Sequence, residues 1–233
     1  MQFYFTRHGQ SENNLLYDQT GASVGRSPDP ELTAIGRQQA EILARFLRDP
    51  QANNYHREGG FGITHLYTSL MVRSLATGMI VAQGLELSLV AWEDLHETGG
   101  IFLDDEKTGK RIGQPGKSRG FFEANYQNLV LPSTVSKSGW WNRPFEEREQ
   151  STARAERFLR ELYKRHGKSE DRVAVISHGG FYNVLLRVLF TIEDEYPWFA
   201  LNNAGITRMD FGMEEFGVVY MNRMDHIPKE LMT

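Results

Sequence analysis

Two apolar rhythms alternate along the chain. Short runs rich in aromatic and β-branched residues, at positions 2–6, 63–68, 87–92 and 172–177, have the length and composition of strands. The last of them holds Val173-Ala174-Val175-Ile176 without a polar interruption, the pattern of a strand covered on both faces. Between the runs, apolar residues recur at helical spacing. Ile35, Ile42, Leu43, Phe46 and Leu47 form the inner stripe of a helix that Thr33 can cap and that stops near Asp49-Pro50. Ser69 can cap a second helix over 70–83. Phe158, Leu159 and Leu162 share one face of a third over 146–165, and a fourth, over 181–190, follows His178-Gly179-Gly180. Residues 206–211 and 217–221 read as a closing pair of strands around a turn at 213–216. Polar stretches rich in Gly, Ser, Asp and Pro, at 13–31 and 51–62, read as loops.

Strands alternating with helices predict an α/β protein: a three-layer α/β/α sandwich around a mostly parallel central sheet, in one domain spanning 1–233. Residues 101–144 break the rhythm. They are rich in Gly, Ser, Lys and Arg, yet carry Phe121, Phe122, Tyr126, Trp140 and Trp141. A structureless loop of that length is rare inside a compact domain, so a cap or lid insertion is expected, with Trp140 and Trp141 exposed and available to an interface between copies.

Composition narrows the function. Lys and Arg total 26 against 30 Asp and Glu, a net charge of -4, which argues against a general nucleic-acid binder but not against a local pocket for a small anion. The chain has no cysteine, which excludes disulfides, thiolate metal sites and a thiol nucleophile. Met1-Gln2-Phe3-Tyr4-Phe5-Thr6 does not begin a signal peptide, and no apolar run is long enough to span a membrane, so a cytoplasmic protein is expected.

In a parallel sheet, ligands bind beyond the carboxyl ends of the strands. Arg7 and His8 follow the first strand, Arg73 lies in the first turn after the second, Glu97 follows the third and His178 the fourth. Two guanidinium groups suit a phosphate, each able to grip two oxygens. The helix starts after Ser69 and Gly179 add free N–H groups. A neutral imidazole can attack phosphorus, and the charges of Arg7 and Arg73 disfavour imidazolium at His8. Glu97 is positioned by sequence to protonate the leaving oxygen, with Glu93 and Asp94 as local rivals; a neighbouring phosphate dianion favours its protonated form. Two other motifs fail on context. Gly116-Lys117-Ser118-Arg119-Gly120 has the serine-hydrolase spacing but no apolar strand before it, and Arg111 stands where a P-loop needs its first glycine. His65, His96 and His166 read as structural.

Arg7-His8-Gly9-Gln10-Ser11-Glu12-Asn13-Asn14 resembles the Arg-His-Gly-x-Ser-x-x-Asn signature of the histidine phosphatase superfamily, in its phosphoglycerate mutase-like branch. Leu32-Thr33-Ala34-Ile35-Gly36-Arg37-Gln38-Gln39-Ala40, the segment from Ser69 through Arg73 to Thr77, Leu95-His96-Glu97-Thr98-Gly99-Gly100 and Ser177-His178-Gly179-Gly180 are similar to four further motifs of that family, in the same order. The resemblance implies that His8 carries the phosphoryl group, that Arg7, Arg73 and His178 surround it, that Asn14 and the Gly179 N–H add contacts, and that Glu97 is acid and then base. It implies no metal and no cofactor, because fixed protein charges stabilise the transferring group. A phosphomonoesterase acting on a small phosphorylated metabolite is the first reading. The 2,3-bisphosphoglycerate-dependent phosphoglycerate mutases of this kind carry an Arg-Arg pair in a basic insertion, and residues 101–144 hold Lys107, Lys110, Arg111, Lys117, Arg119 and Arg143 without one. A non-catalytic phospholigand-binding protein on the same fold is the third reading. Lys110, Arg111, Lys117 and Arg119 hint at an acidic substrate, a solvated basic loop being the alternative.

Overall fold

A computed structural model of the protein describes residues 1–52, 60–194, 197–212 and 216–233. In chain order the elements are β1 (Gln2–Arg7), α1 (Glu12–Thr20), α2 (Ala34–Arg48), β2 (His65–Thr68), α3 (Val72–Leu85), β3 (Leu89–Ala91), β4 (Phe102–Asp104), β5 (Arg111–Gly113), α4 (Arg119–Asn125), β6 (Leu129–Val130), α5 (Arg148–His166), β7 (Arg172–Ser177), α6 (Gly179–Phe190), β8 (Ile206–Phe211) and β9 (Phe216–Arg223). Seven strands form one sheet in the order β6-β3-β2-β7-β1-β8-β9. The first five in that order are parallel to one another; at the other edge β8 runs antiparallel to β1, and β9 antiparallel to β8.

The apolar run of β7 divides between the two faces as a period of two requires. Ala174 and Ile176 pack with Tyr4 against Leu43 and Leu47 of α2 and Leu75 and Val81 of α3. Val173 and Val175 pack with Phe3 and Phe5 against Phe158 and Leu162 of α5 and Phe181 and Leu185 of α6. This is the expected three-layer sandwich. Thr33 caps α2, accepting from the Gly36 N–H at 3.0 Å.

Several elements differ from the pattern-based reading. The stretch expected as a loop over 13–31 begins with α1. No residue of that helix is buried, so it has no apolar stripe; its ends fix it instead. Ser11 and Asn14 form a reciprocal capping box, and Gly21 closes the last turn in the left-handed region at φ 67°. Ser69 does not cap a helix from residue 70: α3 starts at Val72, and its N-cap, Met71, makes no side-chain capping bond. The 101–144 stretch is structured. It forms the β4–β5 hairpin, α4 and β6, and β6 extends the main sheet beside β3. Trp140 and Trp141 are not exposed but buried, at 6% and 4%, in the core with Ile101, Phe122 and Val135, so they offer no surface to an interface. Of the loop expected over 51–62, residues 53–59 lie outside the described residues, as do 213–215 of the expected turn.

Phe158 is fully buried, with its ring centroid 4.9 Å from Trp92, 5.8 Å from Phe181 and 6.1 Å from Phe3. Phe158→Ala is expected to lower unfolding free energy by about 3–5 kcal/mol in chemical denaturation. A loss of less than about 1 kcal/mol would show that this layer of the core is not tightly packed.

Candidate active site

Side-by-side strand ends assemble the site. In the parallel pair β1–β7, Arg7 lies opposite Ser177, so the residues that follow emerge together. The His8 N–H donates to the Ser177 carbonyl at 3.0 Å, and the His8 and His178 rings lie 5.1 Å apart. On the other side of β7, the Ser69 N–H donates to the Ile176 carbonyl at 3.2 Å, and Ser69 Oγ sits 2.9 Å from His178 Nε2. The serine expected as a cap therefore orients the second histidine. The first turn of α3 carries Arg73 back to the cleft, where its Nε lies 3.1 Å from His8 Nε2.

His8 is held in one tautomer. Its Nδ1 lies 2.6 Å from the Gly9 carbonyl, which can only accept, so Nδ1 carries the proton. Nε2 keeps its lone pair and accepts from Arg73. Burial, and after it the charges of Arg73 and Arg7, holds the imidazole well below its usual pKa. Loss of water outranks the two arginines that the sequence places beside the ring. The backbone around the ring is fixed by Gly9 N–H to Thr77 Oγ1 at 3.1 Å, Gln10 N–H to Gln39 Oε1 at 2.7 Å and Asn203 Nδ2 to the His8 carbonyl at 2.9 Å. A Cβ on Gly9 would collide with the Gly36 carbonyl, so bare backbone sets α2 against this turn.

Glu97 faces the same cleft. One carboxylate oxygen accepts from the Thr98 and Phe181 N–H groups at 2.8 Å each, the other from the Gly180 N–H at 3.1 Å. The start of α6 thus holds the carboxylate, and a Cβ on Gly180 would strike it. Its rivals point elsewhere: Asp94 receives both arms of Arg157, at 3.1 and 2.7 Å, and Glu93 accepts from Thr134. With two early amides of α6 on Glu97, the Gly179 N–H is left without a bond among the described residues.

Arg7 donates from Nη1 to the Leu201 carbonyl at 2.8 Å; its Nε is buried and has no partner among the described residues. His178 is fully buried, with Nδ1 likewise free of a partner there. Burial, then Arg73 and His8, pushes its pKa well down. Asn14 lines the cleft, its Oδ1 committed to the Ser11 N–H at 3.1 Å, Ser11 Oγ at 2.9 Å and Asn203 at 3.3 Å, which leaves Nδ2 for a ligand. The cleft encloses about 220 Å³ and is lined by Arg7, His8, Asn14, Arg26, Arg73 and Glu97, among others. All the expected side chains are therefore brought together, His178 behind the lining.

Sequence reasoning missed Asp29. It accepts from the Val72 N–H at 3.0 Å and lies 3.8 Å from Arg73 Nη1. Burial pushes its carboxyl up to about 6, against the pull of Arg73. Nothing in the polar stretch around it marks one aspartate over another. At the opposite ends of the strands, the ligand atoms of His65, His166 and Asp171 lie within 4.8 Å of one another, as a metal would require. Both nitrogens of His166 are already engaged, with Asp171 at 2.8 Å and Tyr67 at 2.9 Å, so a hydrogen-bond network accounts for this trio.

The sequence profile of the Histidine phosphatase superfamily (branch 1) matches residues 3–224. The chain belongs to the histidine phosphatase superfamily. A relative from Hydrogenobacter thermophilus named "Putative phosphoserine phosphatase 2" is 26% identical over 97% of both chains. A 2,3-bisphosphoglycerate-dependent phosphoglycerate mutase from Latilactobacillus sakei is 28% identical over 81% of this chain and 80% of its own. The solved phosphoserine phosphatase of Entamoeba histolytica, in complex with 3-phosphoglyceric acid, shares the fold with a TM-score of 0.61 at 20% identity, over 97% of this chain and 99% of that one.

Asp29 carries a stability signature. Its folded carboxyl binds a proton more tightly than the ordinary value of 3.8 and titrates near 6, so its contribution to stability is present at low pH and is lost as pH rises through that window. The difference amounts to at most about 3 kcal/mol. Measured against Asp29→Asn, the wild-type unfolding free energy is expected to fall between pH ~4 and ~6; a constant difference across that range would contradict the burial argument.

Proposed function

We propose that the protein hydrolyses a small phosphomonoester through a phosphohistidine formed on His8. The observation that carries this reading is the lone pair of a neutral, buried imidazole, flanked by Arg73 and Arg7, in the same cleft as a carboxyl group. In the first step His8 Nε2 attacks phosphorus and the ester P–O bond breaks. Glu97 gives a proton to the departing oxygen. In the second step Glu97, now a base, takes a proton from water, whose oxygen attacks phosphorus as the P–N bond breaks. Inorganic phosphate leaves, and His8 and Glu97 return to their starting states.

The Nδ1–H bond to the Gly9 carbonyl keeps Nε2 the attacking atom in both steps. Arg7, Arg73, the His178 Nδ1 edge and the Gly179 N–H are the groups proposed to hold the phosphoryl oxygens, with Asn14 Nδ2 at the rim. Charge that builds on those oxygens meets donors already oriented, which costs little reorganisation. A cleft of about 220 Å³ suits a small metabolite, as does the name of the Hydrogenobacter relative. Most of the basic residues that hinted at an acidic substrate are engaged by packing. Arg119 donates to the Val135 and Pro132 carbonyls, Arg111 lies over Phe145, and Lys117 over Phe121.

A mutase is the second reading, supported by the Latilactobacillus relative. The two differ in whether water or a second substrate receives the phosphoryl group. With 3-phosphoglycerate and 2,3-bisphosphoglycerate, release of inorganic phosphate is expected; fast isomerisation with little free phosphate would refute hydrolysis. His8→Ala is expected to abolish turnover of an aryl phosphate with an unchanged circular dichroism spectrum, and undiminished turnover would remove the nucleophile. Arg73→Ala is expected to cost about 10²–10³-fold in kcat/KM, and a loss of about tenfold or less would make Arg73 peripheral.

A further inference from the structure

Arg26 stands between α1 and α2 and lines the same cleft as His8, yet no step above uses it. Its guanidinium carbon lies 4.1 Å from the centroid of the Phe102 ring. That ring is itself fixed, buried and met edge-on by Phe145 at 4.8 Å. One face of the guanidinium is thus set against an aromatic plane, which orients its N–H fork without consuming a donor. Among the described residues Arg26 makes no side-chain hydrogen bond and no ion pair. Other arginines of the chain are matched: Arg73 bonds His8, Arg119 bonds backbone carbonyls, and Arg154 holds both oxygens of Glu146 at 2.7 and 2.6 Å.

The surroundings do not neutralise Arg26. Asp104 on β4 and Glu97 favour its charge and Arg111 on β5 opposes it. Asp104 also faces Arg111, at 3.9 Å, and Glu97 is held by the amides of α6. Partial burial withdraws some of the water around the guanidinium, and among the described residues no protein acceptor replaces it. A cation in that condition, at the edge of an anion cleft, is a site for a second anion.

Building on the hydrolysis proposed above, we infer that Arg26 binds a second anionic group, a carboxylate or a further phosphate, on the leaving-group side of the substrate. The planar fork matches either group through paired N–H···O bonds. The small cleft keeps that group within a few bonds of the ester oxygen. Substrates lacking it leave the fork unsatisfied, which turns Arg26 into a selectivity device rather than a general phosphate holder.

Three esters on one three-carbon frame test this: 3-phosphoglycerate, glycerol 1,3-bisphosphate and glycerol 3-phosphate. The wild-type protein is expected to favour one or both of the first two over the third by about 10- to 100-fold in kcat/KM, and Arg26→Gln to erase most of that margin. Preference for 3-phosphoglycerate identifies the carboxylate as the second anion; preference for the bisphosphate identifies the phosphate. No wild-type preference, or equal losses on all three esters in Arg26→Gln, would overturn the assignment. Absence of phosphate release from every ester would instead count against hydrolysis. Selectivity is then read by calorimetry in His8→Ala, where the doubly anionic esters are expected to bind about tenfold or more tightly than glycerol 3-phosphate and to lose that margin when Arg26→Gln is added. Equal affinities there would overturn the role of Arg26 whatever the outcome for turnover.

Discussion

Two adjacent parallel strands, β1 and β7, end level with each other, Arg7 opposite Ser177, and the chain turns out of the sheet at both places. From that register follow the His8 N–H bond to the Ser177 carbonyl, the neighbouring imidazoles and the start of α6 at Gly179. A slip of one residue would send every side chain of β1 to the other face. It would carry Phe3, Phe5 and Arg7 together to the face that Tyr4 now fills, and take Tyr4 to the face of Phe158 and Phe181. The packing of Phe3, Phe5, Val173 and Val175 on one side and Tyr4, Ala174 and Ile176 on the other resists the slip. The core therefore fixes the chemistry by fixing a register.

Electrostatics give the cleft its character. Burial lowers the pKa of Arg7 and Arg73 and of both histidines, which means that each cationic form has lost hydration. The imidazoles respond by staying neutral; the guanidinium groups remain charged and need an anion. Asp29 answers Arg73 in part, at 3.8 Å and with its own carboxyl pushed towards the neutral form. In the proposed reaction a phosphoryl group supplies the missing charge at the position where Nε2 can attack. The pocket is then most complementary when negative charge is greatest, during transfer.

Much of this was legible in the chain. The apolar run at 173–176 reads as a strand covered on both faces, and polar residues that follow strands in an α/β pattern converge at one sheet edge. Arg7, His8, Arg73, Glu97 and His178 were found that way. What stayed hidden is set by local capping or by distance. α1 buries no residue, so it leaves no periodic trace, and only Ser11, Asn14 and Gly21 announce it. Ser69 looks like a helix cap, and its bond to His178 spans 109 positions. Asp29 and Arg26 sit in a stretch of turn residues, and their meaning comes from Val72, Arg73 and Phe102, which only the folded chain brings near. Trp140 and Trp141 sit in a polar stretch, and composition alone could not place them in the core.

In the proposed reaction an imidazole, rather than water, first receives the phosphoryl group. Rapid quenching into base during turnover of a substrate radiolabelled at phosphorus tests it most directly, because a phosphoryl–nitrogen bond survives base and is lost in acid. The expected result is label on the peptide containing His8, appearing and decaying as fast as the enzyme turns over. Steady release of phosphate with no such label at any time, or label that survives acid, would contradict the account.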